Sequence, residues 1–531
     1  MQSQADVLIV GGGPTGMTMA LELAAQGVSF RIVDKAVERL PYSRALIVQP
    51  RSLELLGRHG PLAELLDKTT TVQRVSICVC ARKVADINVP DFKIAGTRFG
   101  TPTSISQFHT ERWLEETLHR RGVRVEMGVN ARNISQDRDG VTVTLVKGDG
   151  SEEELRAKYV FGADGAHSAV RHAASNLTFD GDSYPQEFLL ADVQLDSEMP
   201  TDQVYMCFGQ GVMMVIPRND GLVRLFLSCS GQDNTRKPEL ADFQSFVDEV
   251  FPGRARLHDP VWITRFRLHH RGVSNYRDGR LFVAGDAAHI HSPAGGQGMN
   301  TGIQDAVNLG WKLGAVLRNE KPDSFLDSYH HERHRVGQYL LKSTDTVFTY
   351  VASTNPIYLF FRNLLLPWLA PLVMGQRSRL EKRLLLISQL RIRYRHSDIV
   401  GTDASFSGPV RGGDRPVDGK IQTAEGEKWL SELLSPECHH LLLFAGSDSD
   451  QNKEGDLYRA ETKFLEKAKT SVRAHAISSG GDIGQTGYVD MGGELHKAFG
   501  FHKSGYVLIR PDAYIAHIGN LENVEEAANW L

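Results

Sequence analysis

Cysteine is scarce in this sequence and dispersed along it. The 531 residues contain only Cys78, Cys80, Cys207, Cys229 and Cys438. An odd number of scattered cysteines argues against a disulfide framework, so we expect a reducing compartment, the cytoplasm. Cys438-His439-His440 has the residue types of a metal site but no second ligand cluster. We therefore predict a chance surface cluster there and no metal centre.

An excess of charge of one sign is also missing. Lysine and arginine number 60 against 64 aspartates and glutamates, giving a formal net charge of −4 and an isoelectric point near 6.6. Nucleic-acid binding requires a basic face, so we expect no nucleic-acid partner.

Long hydrophobic runs are nearly absent. The one candidate for a membrane span, residues 357–374, contains Arg362, Asn363 and two prolines and is barely long enough to cross a bilayer. We expect a buried helix pair there and no membrane span. We expect no signal peptide ahead of the first predicted strand, which begins near Asp6.

The sequence does contain three motifs rich in glycine and aspartate, each after an apolar strand. The first follows the strand at residues 5–10 and reads Gly11-Gly12-Gly13-Pro14-Thr15-Gly16. A helix begins at Pro14, and a second strand, residues 28–33, ends at Asp34. In such a β-α-β unit the glycines let a pyrophosphate approach the helix N-terminus, and the acid accepts from a ribose hydroxyl. The pattern predicts a bound dinucleotide, either FAD or a nicotinamide.

The second motif lies within residues 159–171. An apolar strand ends in Gly162-Ala163-Asp164-Gly165, and a helix opens near Ser168. Asp164 is placed either to hold a polar chain of the cofactor or to cap this helix.

The third motif occupies residues 279–313. A short strand, residues 281–284, stops at Gly285-Asp286, and an acid at a strand end is typical of ligand sites in α/β sheets. A glycine-rich loop at residues 295–298 then allows a flat ligand to approach the backbone, and a helical pattern follows. We predict that the cofactor site is built here.

The rest of the chain predicts further domains. At 531 residues it is too long for one core, and we expect two to four domains of the α/β class. The predicted organisation is a Rossmann-like cofactor domain (1–71, 106–180 and 271–345), an inserted antiparallel sheet as substrate domain (72–105 and 181–270), a helical linker (346–399) and a last domain (400–531).

The three motifs, in this order, resemble those of the flavin-dependent aromatic hydroxylases, the group that contains para-hydroxybenzoate hydroxylase and phenol hydroxylase. The segment GDAAHIHSPAGGQGMNTGIQDAVNLGWKL looks most like the corresponding segment of the polyketide and phenolic hydroxylases of bacterial and fungal secondary metabolism. The segment YVLIRPDAYIA, residues 506–516, is similar to the thioredoxin-like C-terminal domain of the phenol hydroxylase subgroup. Because no Cys-x-x-Cys occurs here, thiol redox chemistry is not implied.

The resemblance implies FAD as the cofactor and NADPH or NADH as a transient co-substrate. It places the ribose on Asp34, the pyrophosphate over Gly13 and Thr15, and the isoalloxazine ring beside Pro293. Arg44 would approach the ribityl chain or pyrophosphate, although an ordinary surface arginine is equally consistent with its position. The implied cofactor-binding residues are Gly11, Gly13, Pro14, Thr15, Gly16, Asp34, Lys35, Arg44, Gln107, Asp164, Gly165, Gly285, Asp286, Gly298, Met299 and Asn300.

The implied reaction is monooxygenation of a small aromatic substrate by O₂. NAD(P)H would reduce FAD, a flavin C4a-hydroperoxide would form with O₂, and its distal oxygen would attack the ring. The helix after Gly298 would direct its positive end at the flavin. The last domain would be either a homodimer interface or a buttress.

The sequence departs from the resemblance at the catalytic base. Phenol hydroxylase has an aspartate shortly before its Arg-Thr-Leu-Glu helix, and alignment on Arg51-Ser52-Leu53-Glu54 puts Leu46 at that position. This argues against simple phenol as the substrate. We hypothesise that Tyr205 or Arg224 of the inserted sheet, with Tyr184 as a further candidate, polarises the substrate hydroxyl. Together with Pro293 at the flavin ring, Tyr205 and Arg224 form the predicted catalytic set.

Two other functions remain open at this point. A related flavoenzyme on the same scaffold, an oxidase or a Baeyer–Villiger-type enzyme, would share all three motifs. The other hypothesis is a flavin-bearing interaction or assembly protein without enzymatic activity.

Overall fold

A computed structural model describes residues 3–42, 45–92, 94–200, 202–229, 236–290, 295–351, 353, 355–374, 377–447, 454–480 and 487–531. Within these ranges, three eight-stranded sheets carry the fold.

The helices and strands follow in chain order. The first part contains β1 (Ser3–Val10), α1 (Pro14–Ala25), β2 (Phe30–Asp34), β3 (Ile47–Val48), α2 (Pro50–Leu56), α3 (Ala63–Leu66), β4 (Arg74–Val79), β5 (Arg82–Asn88), β6 (Thr103–Ser104), α4 (Gln107–Arg120), β7 (Glu126–Met127), β8 (Val129–Gln136), β9 (Val141–Lys147), β10 (Glu152–Gly162) and α5 (Ala169–Ala173). The middle part contains β11 (Phe179–Ser197), β12 (Gln203–Phe208), β13 (Val212–Pro217), β14 (Val223–Cys229), α6 (Leu240–Val250), β15 (Ala255–Val273), β16 (Arg277–Asp278), β17 (Leu281–Val283), β18 (His289–Ile290) and α7 (Gly298–Leu317). The last part contains α8 (Asp327–Val351), α9 (Pro356–Met374), α10 (Arg377–Ile387), β19 (Gly401–Thr402), β20 (Lys420–Thr423), β21 (Gly426–Trp429), β22 (His439–Phe444), α11 (Glu454–Lys467), β23 (Val472–Ser478), β24 (Gly487–Val489), α12 (Glu494–Phe499), β25 (Gly505–Ile509) and β26 (Ile515–Asn520).

The first sheet has the strand order β16-β17-β10-β1-β2-β7, and β9 and β8 continue it from β10. β1 is parallel to both β2 and β10, and β10 is parallel to β17. The carboxyl ends of these strands therefore meet at one edge, which the three motifs and Asp34 occupy. This α/β arrangement confirms the predicted Rossmann-like sheet.

Small residues bring α7 against α1 behind this sheet. A Cβ at Gly310 would lie 2.4 Å from the Cβ of Glu22, and one at Gly314 would lie 2.7 Å from the Cβ of Gln26. Only glycine allows the two helices to pack this closely. The packing fixes the position of each helix start relative to the other.

The second sheet has the order β18-β15-β11-β14-β13-β12-β4-β5. It is antiparallel, as predicted, except that β4 pairs parallel with β12. The two strands lie far apart in sequence and share no hairpin, so nothing in the chain forces them to be antiparallel. β18 follows directly on the Gly285-Asp286 turn and pairs with β15. The second sheet is thus joined to the cofactor edge.

The predicted buried helix pair at residues 357–374 is wrong. α9 packs one side against β4 and β5, but nine large apolar side chains on its other side are 47–76% exposed. No helix in the described ranges is both long and apolar enough to pass through a bilayer.

The third sheet belongs to the last domain. β22, α11 and β23 form a parallel β-α-β unit, and β25 and β26 form an antiparallel pair beside β22. This topology is compatible with the thioredoxin-like domain, which stays a prediction, as do the domain boundaries.

The predicted surface cluster at Cys438-His439-His440 is buried, because β22 is the central strand of this sheet. Its residues alternate between two packed faces, so neither face reaches solvent. In the described part of the chain, no group of three or more potential ligands is arranged to hold a metal ion.

Candidate functional site

The loop after β1 requires its glycines. Gly11 has a φ of +109°, and a Cβ there would lie 2.2 Å from the carbonyl oxygen of Ala163. At Gly16 a Cβ would lie 1.8 Å from the carbonyl oxygen of Gly11. At Gly13, in contrast, a Cβ would meet no atom of the described residues within 4 Å. The loop is tight where it packs on the sheet and open above the start of α1.

The N-terminus of α1 has the features of an anion-binding site. Gly13 is its N-cap and Pro14 its first residue, and no side chain caps it in the described part of the protein. The first N–H groups of a helix have no partner within the helix and attract phosphate oxygens. This end of α1 can therefore hold a pyrophosphate, as predicted for Gly13 and Thr15.

Asp34 lies beside this loop at the end of β2. Its Oδ2 accepts a hydrogen bond from the Gly12 N–H at 2.6 Å, and Oδ1 accepts from the Ala36 N–H at 2.8 Å. Arg39, which the sequence did not point to, donates to the Gly12 carbonyl oxygen at 2.8 Å. Lys35 is exposed next to Asp34. The carboxylate is thus held next to the nucleotide loop, and its ribose contact stays a prediction.

Asp164 caps α5. Its Oδ1 accepts from the Ser168 hydroxyl at 2.5 Å, and Oδ2 accepts from the Ala169 N–H at 2.6 Å. Burial raises the pKa of Asp164, although these hydrogen bonds act against the shift. Of the two roles that the sequence left open, the contacts realise the cap. The predicted cofactor contact of Asp164 and Gly165 stays untested.

Thr15 joins the first motif to the third. A Cβ on Gly285, whose φ is +55°, would lie 2.8 Å from Thr15 Oγ1, and a Cβ on Gly302 would lie 2.3 Å from the same atom. Thr15 is therefore packed between the turn after β17 and the first turns of α7. Asp286 is exposed at this turn, where the sequence placed a cofactor-binding carboxylate.

Asp305 holds the turn after β17 from the protein interior, and none of the predicted site residues included it. It is fully buried; its Oδ2 accepts from the Gly285 N–H at 3.1 Å and lies 2.9 Å from His289 Nε2. Its Oδ1 accepts from Arg333 Nε at 2.7 Å. Burial would raise the pKa of Asp305, but Arg333 and His289 outweigh it and the pKa is lowered. An aspartate among the buried positions of α7 was the available signal.

Arg171 ties the second motif to the third and was also missed. Its Nη1 donates to the Ala287 carbonyl oxygen at 2.8 Å, and Nη2 donates to that of Ala166 at 2.7 Å. The three motifs are thus cross-linked to one another.

The N-terminus of α7 begins at Gly298, four residues before the apolar helical pattern of the sequence. No side-chain cap covers it among the described residues. The amide of Asn300 donates to the Ile47 and Gly296 carbonyl oxygens at 2.9 and 2.8 Å and accepts from the Gln49 N–H at 2.8 Å. Asn300 therefore shapes the loop, and the predicted flavin contacts of Gly298, Met299 and Asn300 remain predictions.

Three other predicted site residues provide little structural evidence for or against their predicted roles. Gln107 is the first residue of α4 and donates to Glu111 Oε1 at 2.7 Å. Arg44 and Pro293 lie outside the described residues.

The two catalytic candidates of the second sheet lie on opposite faces. Tyr205 belongs to the apolar cluster that also contains residues of α6. Its hydroxyl donates to the Pro200 carbonyl oxygen at 3.0 Å and accepts from Gln203, while its ring packs edge-on against Phe251. These contacts are those of a core tyrosine, and its predicted catalytic role gains no support from them.

Arg224 lies on the other face, where it makes a two-pronged ion pair. Its Nε and Nη2 donate to the two oxygens of Asp192, both at 2.8 Å, and Arg218 donates to the same carboxylate at 2.7 Å. Arg224 Nη1 is buried and has no hydrogen-bond partner among the described residues. The guanidinium lies 5.8 Å from the ring centroid of Trp262, which stacks on Tyr42. Tyr184, the third candidate, has no described side chain.

Comparison with known proteins decides what this edge binds. The FAD binding domain family matches residues 4–344. The chain belongs to this family. The predicted resemblance is confirmed, and FAD is the cofactor.

Relatives of this FAD-dependent protein span nearly its whole length. Pentachlorophenol 4-monooxygenase of Sphingobium chlorophenolicum is 30% identical over 97% of this chain and 93% of that protein. The 6-methylpretetramide 4-monooxygenase of Streptomyces rimosus is 31% identical over 97% and 90%. The solved structure of CabE, an aromatic hydroxylase from angucycline biosynthesis, is 29% identical with a TM-score of 0.73, covering 97% and 96%. The chain is accordingly a flavin-dependent monooxygenase of the aromatic hydroxylase group.

The geometry of this flavin-dependent monooxygenase fits the cofactor. The N-termini of α1 and α7, which no described side chain caps, stand at one edge with the carboxylates of Asp34 and Asp286. Open space lies over Gly13, where a pyrophosphate needs it. The structure thus offers donors for phosphate and acceptors for ribose and ribityl hydroxyls.

Proposed function

We propose that this chain uses NADPH or NADH and O₂ to hydroxylate a phenolic or polyketide-type aromatic substrate. The observation that carries this proposal is the buried Nη1 of Arg224, which has no hydrogen-bond partner among the described residues and lies on the face of the second sheet opposite α6. The activities after which the two long relatives are named, on a chlorinated phenol and on a pretetramide, support the substrate class.

Bound FAD supplies the redox chemistry, since it accepts electrons from a nicotinamide and activates O₂ once reduced. The chain supplies binding and orientation. The N-terminus of α1 and Asp34 hold the adenine-nucleotide half, and the N-terminus of α7 offers positive partial charge to the ring half.

Arg224 acts on the substrate oxygen. Its Nη1 can donate to a phenolic oxygen, and the positive charge favours the phenolate, which is the stronger nucleophile. Asp192 holds the guanidinium in a fixed plane through two hydrogen bonds. Arg218 keeps a second cation on the same carboxylate, so Asp192 remains paired if Arg224 is replaced.

An aromatic wall on the same sheet would exclude water from such a substrate. Phe188 and Phe226 stack with ring centroids 5.1 Å apart, and Phe266 lies 6.1 Å from Phe188. Apolar aromatic surface suits a flat substrate and slows loss of the activated oxygen to water.

Oxygen-18 labelling tests the reaction class. The purified holoenzyme receives ¹⁸O₂, NADH or NADPH, and a panel of phenols and anthraquinone-type aromatics. We expect a product that is heavier by one labelled oxygen, with nicotinamide consumption stimulated by that substrate. Oxidised substrate that carries no labelled oxygen, formed together with an equal amount of hydrogen peroxide and without nicotinamide consumption, would instead identify an oxidase.

Variants at Arg224 and Tyr205 test the assignment of the substrate handle. For Arg224→Ala we expect kcat/KM for coupled hydroxylation to fall on the order of 10²-fold, because the phenolate is no longer favoured. Tyr205→Phe is the matched control and should hydroxylate at a rate close to the parent enzyme. Normal coupled turnover in Arg224→Ala would remove Arg224 from the proposal.

A further inference from the structure

The exposed side of α9 is a continuous apolar face. Residues 357, 358, 360, 361, 364, 365, 368, 369 and 372 recur at intervals of three and four, which places them on one half of the helix surface. All nine are large apolar or aromatic side chains that are at least 47% exposed. The face extends about 23 Å along the helix at 1.5 Å per residue. Soluble monomers rarely expose a patch of this kind without a partner.

The opposite side of α9 is firmly attached to the second sheet. Arg362 Nη2 donates to the carbonyl oxygens of Gly209 and Gly211 at 2.8 and 3.0 Å, and Asn363 donates to Gly209 at 3.2 Å. Leu366 packs on the apolar cluster that contains Ile77. The polar residues that speak against a membrane span therefore all face the protein, and the outward half of α9 carries no charge.

The chain around α9 is strongly cationic. Residues 346–397 contain eight lysines and arginines and a single acid, Glu381, although the whole chain has a net charge of −4. Three of the eight are engaged within the protein, Arg362 with the second sheet and Arg393 and Arg395 with Asp414. α10, which follows α9 and packs against it, has the sequence RSRLEKRLLLI. Lys382 and Arg391 are exposed. An apolar face with tryptophan and tyrosine beside a cationic segment is the pattern of helices that lie in the plane of a membrane interface.

We propose that α9 attaches this protein peripherally to an anionic lipid surface, with its apolar half in the headgroup region and the cationic segment over the lipid phosphates. A second copy of the chain is the competing occupant, but a two-fold interface through α9 would bring two cationic segments together. Anionic lipid neutralises the same charge. This inference is independent of the proposed reaction.

Vesicle co-sedimentation of the FAD-loaded full chain tests the proposal. We expect binding to phosphatidylglycerol–phosphatidylcholine vesicles and weaker binding to phosphatidylcholine alone. The triple variant Phe360→Ser, Trp368→Ser, Leu372→Ser should partition at least about 10-fold more weakly, because each serine removes exposed apolar surface that would enter the lipid. The control Tyr458→Ser, Met491→Ser changes exposed apolar residues of the last domain and should bind like the parent chain. FAD absorbance verifies that each variant is folded.

Two further variants separate insertion from simple charge attraction. Brominated lipid should quench the fluorescence of Trp368. The Trp368→Tyr variant should still bind the vesicles but should lose most of that quenching. Lys382→Glu combined with Arg391→Glu should lose the preference for anionic vesicles. Absence of vesicle binding by the parent chain, or equal binding by the triple variant, overturns the proposal. A dimer that the triple variant abolishes, with no lipid binding, overturns it in favour of a second copy.

Discussion

At the scale of single residues, Asp305 connects the cofactor edge to the interior of the protein. One of its oxygens accepts a hydrogen bond from the Gly285 N–H, and the other accepts from Arg333. Arg333 also donates to the Tyr394 hydroxyl at 2.9 Å. The turn that presents Asp286 is therefore set by a buried carboxylate rather than by the loop sequence alone.

Asp305→Asn tests this role. The change leaves Arg333 without its carboxylate in a buried site, and removal of one partner of a buried pair costs about 3–5 kcal/mol. We expect both lower stability by urea denaturation of the apoprotein and weaker FAD binding measured by titration of that apoprotein. Asp327→Asn, which changes a carboxylate that is 55% exposed and pairs with Arg277, is the control. FAD affinity equal to that of the parent chain would show that Asp305 does not position the turn.

At the scale of elements, the adjacent strands β22 and β23 bury imidazoles that are neutral. His440 Nδ1 lies 3.0 Å from His475 Nε2, so one ring donates to the other. Burial lowers the pKa of His440 to about 3 and that of His475 to about 4. The unfolded chain takes up these protons near pH 6.5, so it gains stability relative to the native state as the pH falls.

The sheet should therefore lose stability as the pH falls from about 6.5 to about 4. Each imidazole contributes up to about 1.4 kcal/mol per pH unit to this loss. Above about pH 6.5 these imidazoles should leave the stability unchanged. The measurement is the urea midpoint as a function of pH. His475→Gln should flatten the dependence, whereas His502→Gln, at an exposed position, should not. A parent profile that is flat from pH 7 to 5 would contradict the expectation.

At the scale of the whole molecule, buried ion pairs join the last domain to the cofactor domain. Arg510 of the last domain donates to both oxygens of Glu332 in α8, at 2.7 and 2.9 Å, and also pairs with Asp512. Lys312 of α7 donates to Glu332 at 2.8 Å. All four side chains are at most 1% exposed, so each charge depends on the others.

Arg510→Ala should destabilise both domains at once. We expect a loss of about 3–5 kcal/mol, because Glu332 and Asp512 lose a buried cation. FAD release and tryptophan fluorescence, followed together during denaturation, should shift by the same amount. Arg473→Ala breaks an exposed pair with Glu437 and should change stability by no more than about 0.5 kcal/mol. Early unfolding of the last domain without FAD release would mean that the domains are not coupled.

The sequence predicted those parts of the site that local backbone chemistry determines. Glycines and acids at strand ends have few other uses, so the three motifs and their common edge followed from the order of residues. Period-two alternation orders side chains within one strand only, so the opposite faces of Tyr205 in β12 and Arg224 in β14 follow from the pairing register through β13, which the sequence does not contain. Contacts between residues far apart in sequence could not be predicted from it. The ion pairs of Asp305 with Arg333 and of Arg510 with Glu332 are examples. The exposure of α9 was missed because apolar composition predicts burial unless a partner is known.

The packing of Thr15 between Gly285 and Gly302 has a consequence for the order of biosynthesis. The first nucleotide motif leaves the ribosome some 270 residues before the turn and helix that enclose it. Domains form cooperatively once their elements are available, and here the last of them is α7. A nascent chain that ends before about Leu317 lacks part of the flavin pocket, so FAD can bind only after both ends of its own domain have been synthesised.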